Sequence, residues 1–182
     1  MSTLTGRDKT ALLVIDVQEG VAEGAYHRDE VIAEIAGAVD RARAGGVPVV
    51  WVQHSDEEMP IDSAEWQLVD ELKPLAHEPR VRKEFRSSFE ATNLESVLSD
   101  LGVGQLIVCG MQTNNCIRHT THAALERGYD VTLLSDAHTT TGYEWDGHEV
   151  SAEMLVNETN DNFGGYALPG RSATVTPAAR AV

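Results

Sequence analysis

The chain has 182 residues, a hydrophobic fraction of 42% and a formal net charge of −15. This length suits one α/β domain with a substantial core, and the negative charge argues against nucleic acid or an anionic membrane surface as a partner. Only two cysteines occur, and no run resembles a signal peptide or a membrane span, which favours a cytoplasmic location. We therefore expect one domain over residues 1–182, with mobile ends at 1–9 and 177–182.

Short apolar runs alternate along the chain with segments of helical spacing. In chain order, the predicted elements are a strand over 11–17, a helix over 31–42, strands over 47–52 and 80–84, a helix over 92–101, a strand over 106–109, a helix over 117–127, a strand over 131–134, a helix over 150–157 and a strand over 173–175. A capping box at Asp62 and Glu65 also allows a short helix that Pro74 ends. This alternation predicts an α/β fold, a three-layer sandwich around a mostly parallel sheet.

Polar residues follow the ends of the predicted strands. Asp16 ends the first strand, His54 follows the second, Lys83 ends the third, Cys116 follows the fourth and Asp136 follows the fifth. In open parallel sheets, ligands bind beyond the carboxyl ends of the strands. These side chains are therefore expected at one edge of the sheet, although they lie far apart in the sequence.

A carboxylate, an ammonium and a thiol at one sheet edge form a coherent catalytic set. Asp16 would take the proton of the Cys116 thiol, which would then attack a carbonyl, while Lys83 would hold both anions. Because Cys116 is predicted at the start of a helix, we expect its pKa to lie below the ordinary thiol value. The backbone N–H groups of Gln112 and Cys116 are the candidate oxyanion donors.

Several further residues are candidates for contact with a substrate. The predicted substrate-binding residues are Gln18, His54, Phe85, Phe89, Tyr143 and Trp145. Each of the aromatic residues fits a core position equally well. The second cysteine, Cys109, lies inside an apolar strand and is predicted to be inert core.

Four segments carry a resemblance to a known family. The pieces LLVIDVQ, VRKEFRSSFEATNLESVL, LIVCGMQTNNCI and GYDVTLLSDAH resemble the isochorismatase-like cysteine hydrolase superfamily, which includes nicotinamidases and carbamoylsarcosine and ureidoacrylate amidohydrolases. The resemblance implies a six-stranded sheet in the order 3-2-1-4-5-6 and a catalytic triad of Asp16, Lys83 and Cys116. It also implies a cis peptide bond between Met111 and Gln112, and a homodimer or larger homo-oligomer. The C-terminal segments SDAHTT and ETNDNFGGYALPGR look most like those of streptothricin hydrolases, which open a lactam.

The sequence departs from two patterns within that superfamily. Metal-binding members carry an Asp-Trp-His element after the second strand, whereas this chain has His54 and Asp56 in the reverse order, with His77 further on. No full ligand set can be named, so we predict neither a metal nor a cofactor. Isochorismatases that cleave a vinyl ether lack the cysteine, so Cys116 argues against that reaction.

These observations predict a cysteine-dependent hydrolase that cleaves an amide, lactam or carbamoyl C–N bond of a small molecule through a thioester. The alternative is a non-hydrolytic protein on the same fold, either a small-molecule binder or an oxidant-responsive thiol protein. An acyl-enzyme on Cys116 would favour the hydrolase, whereas reversible oxidation of Cys116 by peroxide would favour the sensor.

Overall fold

Alternating strands and helices build the fold that the computed structural model describes over residues 2–181. The strands are β1 (Lys9–Ile15), β2 (Val49–His54), β3 (Arg80–Lys83), β4 (Val103–Met111), β5 (Asp130–Thr139), β6 (Tyr143–Trp145), β7 (His148–Val150), β8 (Ala167–Leu168) and β9 (Arg171–Thr176). The helices are α1 (Glu19–Ala22), α2 (Arg28–Ala44), α3 (Leu94–Asp100), α4 (Arg118–Arg127), α5 (Ala152–Phe163) and α6 (Ala178–Ala181). A π-helical turn, Thr113–Ile117, leads from β4 into α4.

Within residues 2–181, the main sheet has the strand order β3-β2-β1-β4-β5-β9-β8. All neighbours from β3 to β9 pair in parallel, whereas the short β8 pairs antiparallel with β9 at the edge. The predicted order and α/β class are therefore confirmed, and β8 is one strand more than predicted. Strands β6 and β7 form a separate antiparallel hairpin.

Each face of the sheet has its own hydrophobic core. Alternate residues of β1 point to opposite faces, so that Leu12 packs beneath α2 while Leu13 packs beneath α3, α4 and α5. Both leucines are fully buried. Near-continuous apolar strands are expected where helices cover both faces of a parallel sheet.

Three predicted elements differ from the structure. Residues 55–79 contain turns and no helix, because their backbone groups bond to other segments instead. Strand β5 runs on to Thr139, so Asp136 lies inside the strand and accepts a hydrogen bond from the Ala178 N–H at 2.8 Å. The last helix, predicted over 150–157 with Met154 and Leu155 facing inward, runs over Ala152–Phe163 and leaves Met154 exposed, because it packs through Thr159 and Phe163.

The segments predicted to be mobile have defined contacts. The Thr3 N–H and the Ser2 hydroxyl both donate to the Gly128 carbonyl, each at 2.9 Å. At the other end, α6 packs against α2 through the buried Ala178. The mobility of these ends in solution stays a prediction.

Candidate active site

Asp16 follows the last residue of β1 at the carboxyl edge of the sheet. Its N–H donates to the Val52 carbonyl at 2.9 Å, and its φ of 51° lies in the left-handed region that non-glycine residues seldom adopt. The side chain is completely buried. The sheet therefore fixes this carboxylate in a strained backbone position, which is common at functional sites.

Gly110 makes that position of Asp16 possible. It pairs with Ile15 across β4 and β1, and its φ is 123°. A Cβ atom at Gly110 would lie 2.0 Å from the Ile15 carbonyl oxygen. Only glycine allows the two strands to approach this closely next to Asp16.

Lys83 lies at the end of β3, directly opposite His54 of β2. Its Nζ is 2.7 Å from Asp16 Oδ2, 3.3 Å from Cys116 Sγ and 3.4 Å from His54 Nδ1. The ammonium group forms an ion pair with Asp16, and it has hydrogens to donate to the Cys116 sulfur and to the His54 nitrogen. We call Asp16, Lys83 and Cys116 the Asp–Lys–Cys cluster.

Cys116 lies in the π-helical turn, where side-chain hydrogen bonds fix the backbone. The Thr113 hydroxyl bonds to His138 Nδ1 at 2.9 Å, and the Thr140 hydroxyl donates to Asn114 Oδ1 at 2.7 Å. The peptide bond between Met111 and Gln112 is cis. The turn that carries Cys116 is thus attached to β5 through His138 and to the residue directly after β5 through Thr140.

The electrostatics of the cluster differ from the prediction for Cys116. Burial, with the Asp16 charge as the next cause, raises the pKa of the Cys116 thiol to about 12. Burial also raises the pKa of Asp16, against the opposing effect of Lys83. Burial disfavours the charge on Lys83, but the neighbouring Asp16 and Cys116 outweigh it and leave the Lys83 pKa above its ordinary value. The predicted low pKa of Cys116 is therefore wrong, because desolvation exceeds the effect of the helix start.

The carboxylate of Asp16 retains capacity to accept a proton. The contact with Lys83 is short but poorly aligned, and neither Asp16 oxygen accepts a well-aligned hydrogen bond from any described residue. A buried carboxylate without such bonds is a stronger base than one in water. The cluster at rest is best described as a neutral thiol beside a carboxylate and an ammonium.

A cavity of about 680 Å³ opens above the cluster. Its lining residues are Asp16, Gly20, Val21, Glu23, His54, Asp56, Glu58, Met59, Glu65, Glu84, Arg86, Gln112, Asn115 and Cys116. This volume lies within the usual range for small-molecule sites. The structure therefore brings the predicted residues Asp16, His54, Gln112 and Cys116 to one cavity.

Two predicted substrate contacts are wrong because the side chains are occupied elsewhere. Gln18 is fully buried; its amide NH₂ donates to the carbonyls of His54 and Trp66, and its amide oxygen accepts from the His54 N–H at 2.7 Å. Phe89 is 7% exposed and packs against the ring of Tyr129 in the core. Gln18 connects two loops, and Phe89 stabilises the domain.

The other predicted aromatic contacts lie outside the lining of the cavity. Tyr143 and Trp145 lie on the β6–β7 hairpin and are 47% and 72% exposed. Phe85 is also exposed and borders a neighbouring groove with Ser55 and Ile61. Within residues 2–181, none of these three rings is positioned to cover Cys116, which corrects the prediction.

His54 and Asp56 form a pair at the edge of the cavity. His54 Nε2 is 3.1 Å from Asp56 Oδ2, and since Lys83 can only donate to Nδ1, the proton of a neutral His54 lies on Nε2. Among residues 2–181, no group of three or more His, Cys, Asp and Glu side chains is arranged to hold a metal ion. His54 instead orients the Lys83 ammonium.

Several residues of the site escaped the sequence analysis. Most are the carboxylates of the cavity lining, whose irregular loops have no periodic pattern. Another is His138, which bonds Thr113 through Nδ1 and Asn160 through Nε2. The one available signal for the carboxylates was their density after the second strand, in DEE over residues 56–58.

The fold and the site define a class of protein: a doubly wound α/β domain with a thiol, a carboxylate and an ammonium at the carboxyl edge of the sheet. A family model described as the isochorismatase domain matches residues 10–162. The chain therefore belongs to the isochorismatase family, which confirms the resemblance.

Named relatives agree with this assignment. A streptothricin hydrolase from Streptomyces noursei is 36% identical over 140 residues, which cover 74% of this chain and 56% of the relative. The match to a second streptothricin hydrolase from the same organism covers 49% of that relative. The chain thus spans about half the length of these curated relatives.

Solved structures show the same fold. An isochorismatase from Pseudomonas putida KT2440 matches with a TM-score of 0.84 and 28% identity, over 95% of this chain and 90% of that one. A cysteine hydrolase from Pseudomonas syringae pv. phaseolicola 1448A matches with a TM-score of 0.85 and 25% identity, over 94% of this chain and 89% of that one. Among residues 2–181, none of the helices combines the length and apolar character needed to cross a membrane.

Proposed function

We propose that the protein is a cysteine-dependent hydrolase that cleaves the C–N bond of a small-molecule amide, lactam or carbamoyl compound. The observation that carries this proposal is the Lys83 Nζ position, 2.7 Å from Asp16 and 3.3 Å from Cys116 at the base of a cavity. Similarity to a streptothricin hydrolase and to a cysteine hydrolase structure supports the reaction class.

The first half of the reaction forms a thioester. Asp16 accepts the thiol proton as Cys116 Sγ bonds to the carbonyl carbon, and the Lys83 ammonium stabilises the negative charge on the sulfur. The carbonyl oxygen becomes an oxyanion that the N–H groups of Gln112 and Cys116 bind. As the C–N bond breaks, protonated Asp16 returns the proton to the leaving nitrogen.

The second half releases the acid. Water enters the cavity and loses a proton to Asp16 as its oxygen attacks the thioester carbon. The C–S bond then breaks, and the sulfur recovers its proton from Asp16. The raised pKa of Asp16 suits this role, since it makes the carboxylate a stronger base than an ordinary aspartate.

The high pKa of Cys116 separates this proposal from the oxidant-sensing alternative. A sensor cysteine must be ionised before oxidation, whereas burial raises the pKa of Cys116 to about 12. In the hydrolase, proton transfer to Asp16 accompanies attack, so no resting thiolate is required. The other cysteine, Cys109, is completely buried in β4 and therefore poorly placed to resolve a sulfenic acid.

We also propose that the chain assembles into a homodimer or larger homo-oligomer. The exposed side chains of Tyr143, Trp145 and Met154 on β6 and α5 support this proposal, because large exposed apolar side chains are typical of contact surfaces. Light scattering of the purified chain gives its mass in solution. A monomeric mass at all concentrations would contradict the proposal.

The experiment that tests the hydrolase measures ammonia or amine release from a panel of primary amides, lactams, ureas and carbamoyl compounds. We expect turnover of at least one class by the natural chain and none by Cys116→Ala. Equal turnover by both proteins would overturn the proposed function. Circular dichroism of the variant would check that the fold is retained.

A further inference from the structure

His138 is a buried histidine that the proposed reaction does not use. It lies on β5, is 1% exposed, and is not among the residues that line the cavity above Cys116. Its ring nevertheless contacts the turn that carries Cys116, because the Thr113 hydroxyl lies 2.9 Å from Nδ1. A ring placed in this way can affect the reaction only through the residues to which it bonds.

The hydrogen bonds of this ring run in one direction. The Ser135 carbonyl can only accept, so the amide nitrogen of Asn160, 3.0 Å away, donates to it. The amide oxygen of Asn160 therefore faces His138 Nε2 at 3.0 Å and accepts a hydrogen bond from it. With its proton on Nε2, a neutral His138 has Nδ1 as an acceptor, and the Thr113 hydroxyl donates to this nitrogen. We call these four residues the His138 network.

Burial keeps the His138 network in this state. Desolvation lowers the pKa of His138 to about 4, against the opposing effects of Asn160 and Asp136, so the ring is neutral near pH 7. The Thr113 side chain is also completely buried, so its hydroxyl has no exposed surface through which water could replace His138 as the partner. Nδ1 and the Thr113 hydroxyl are therefore mutually dependent partners.

Thr113 lies between the two candidate oxyanion donors. It follows Gln112 directly and precedes Cys116 by three residues. The Gln112 carbonyl accepts from the N–H groups of Asn115 and Ile117 at 3.1 and 3.2 Å, and these bonds close the turn on itself. The bond from Thr113 to the His138 network instead attaches the turn to the sheet and to α5. Oxyanion donors are most effective when the fold fixes them before the reaction begins.

We infer that His138 is a positioning residue for the proposed hydrolase. Acting through Thr113, it holds the N–H groups of Gln112 and Cys116 where the oxyanion forms. This inference rests on the proposed function, because an oxyanion forms only if Cys116 attacks a carbonyl. The oxyanion develops in the transition state and is absent from the bound substrate. Loss of the network should therefore lower kcat and leave KM nearly unchanged.

Paired substitutions separate positioning from packing. Thr113→Val keeps the shape of the side chain and loses the hydroxyl, whereas Thr113→Ser keeps the hydroxyl and is smaller. His138→Asn places an amide oxygen near the position of Nδ1, where it can accept from Thr113. His138→Gln is closer to histidine in size but places its amide near the position of Nε2. Positioning predicts more activity in Thr113→Ser and His138→Asn, whereas packing predicts more in Thr113→Val and His138→Gln.

Steady-state kinetics on an amide that the natural chain hydrolyses measure the effect. We expect Thr113→Val and His138→Gln to lower kcat about 10- to 100-fold with little change in KM, the size expected for misplaced catalytic groups. The loss stays partial because the bond between Thr140 and Asn114 still holds the turn. Thr113→Ser and His138→Asn should keep most of the activity.

Amide hydrogen exchange measures the turn without any substrate. Exchange of the peptide over residues 112–117 should be faster in Thr113→Val and His138→Gln than in the natural chain, whereas exchange in β1 and β2 should be unchanged. Thr113→Ser and His138→Asn should exchange as the natural chain does. Thr132→Val removes an exposed hydroxyl bond to Thr174 elsewhere on β5, and as the matched control it should alter neither the exchange nor the kinetics.

The outcomes keep this inference apart from the proposed function. An inactive natural chain on the whole panel of amides, lactams, ureas and carbamoyl compounds would overturn the hydrolase, and the positioning role with it. Turnover that falls more in Thr113→Ser than in Thr113→Val, or that neither substitution of His138 affects, would overturn the positioning role and leave the hydrolase intact. Equal exchange of residues 112–117 in all four variants would contradict the positioning role in the same way.

Discussion

The Asp–Lys–Cys cluster and the exposed carboxylates of the same cavity are two charged regions, built in opposite ways. We call these carboxylates the acidic rim; they are Glu23, Asp56, Glu58, Glu65 and Glu84. Asp16 and Lys83 are fully buried side chains at the ends of parallel strands, 2.7 Å apart. The rim glutamates are exposed, and the loops that carry them follow α1, β2 and β3. The comparison teaches that the sheet positions the reacting groups, whereas loops supply the charge that a substrate meets first.

The two regions also differ in the strength of their electrostatics. Charges in the cluster are shielded from water, so each interaction is strong and each unpaired group is costly. Charges on the rim are hydrated and screened by salt, so each contributes little. Substitutions in the cluster should therefore have large effects on both rate and stability, and those at the rim should have small effects on KM.

The largest effect is expected at Cys116, in contrast to Cys109. Cys116→Ala should lower turnover by about 10³-fold or more, because the thioester cannot form. Cys109→Ala should keep turnover near that of the natural chain and lower the free energy of unfolding by about 1 kcal/mol, since it only leaves a small cavity in β4. Steady-state kinetics and urea unfolding of both variants measure the contrast, and equal loss of activity would contradict it.

Removal of the ammonium should affect both folding and catalysis. Lys83→Met leaves Asp16 buried without its counter-ion, which should lower the free energy of unfolding by about 3–5 kcal/mol. Lys73→Met removes an exposed pair with Asp70 and should cost less than about 1 kcal/mol. Chemical unfolding of the two variants gives both values, and similar small losses would contradict a strong buried pair.

The close approach of β4 to β1 is tested at Gly110. Gly110→Ala places a Cβ 2.0 Å from the Ile15 carbonyl oxygen at a φ of 123°, so we expect a loss of about 3 kcal/mol or more and a displaced Asp16. Gly147→Ala is the matched control: its φ is 75°, and no atom lies within 4 Å of the added Cβ. Its cost should be about 1–2 kcal/mol from backbone strain alone. Thermal unfolding of both variants compares them.

Stability should depend on pH through His138, which supports the turn that carries Cys116. Burial lowers the pKa of His138 from 6.5 to about 4, so the unfolded chain binds more protons between these values. The contribution of the neutral His138 side chain to the free energy of unfolding is therefore fully present above pH 6.5. It decreases as the pH falls towards 4, by up to about 3 kcal/mol. The free energy of unfolding, measured with urea at several pH values across this range, should fall more steeply with decreasing pH for the natural chain than for His138→Asn. Identical slopes would exclude His138 as the cause.

The smallest effect is expected where Gln18 connects the rim to the sheet. Gln18→Leu leaves the His54 N–H without the amide oxygen that accepts from it, which should lower the free energy of unfolding by about 1–3 kcal/mol, whereas the Trp66 carbonyl keeps the Gln53 amide as a donor. Because the loop at Trp66 loosens, KM for a hydrolysed amide should rise more than kcat falls. Gln67→Leu removes only an exposed bond to Ser63 and serves as the control. No difference between the two variants would contradict the proposed connection.

The sequence predicted the cluster better than the rim, and the reason is physical. Residues that follow buried parallel strands share one edge of the sheet, so Asp16, Lys83 and Cys116 could be grouped without coordinates. Residues 55–79 have no periodicity, and a box at Asp62 and Glu65 suggested a helix that does not form. Loop conformation depends on distant partners that a local pattern does not reveal.

Errors about single side chains had a similar origin. A glutamine beyond a strand end has the same local sequence whether it meets a substrate or backbone carbonyls, and Gln18 does the latter. The phenyl ring of Phe89 fitted a pocket or a core equally well until its packing was known. For Cys116, the position at a helix start was correctly located, but the degree of burial, which decides the pKa, depends on the complete fold.

The most direct test of the central claim is to trap the thioester. Rapid acid quenching of the natural chain during turnover of a hydrolysed amide, followed by peptide mass spectrometry, should show an acyl group on Cys116 that hydroxylamine removes. Asp16→Asn should accumulate little of this adduct, because proton transfer from the thiol fails. Sustained turnover without an adduct on Cys116, or undiminished adduct formation in Asp16→Asn, would contradict the account.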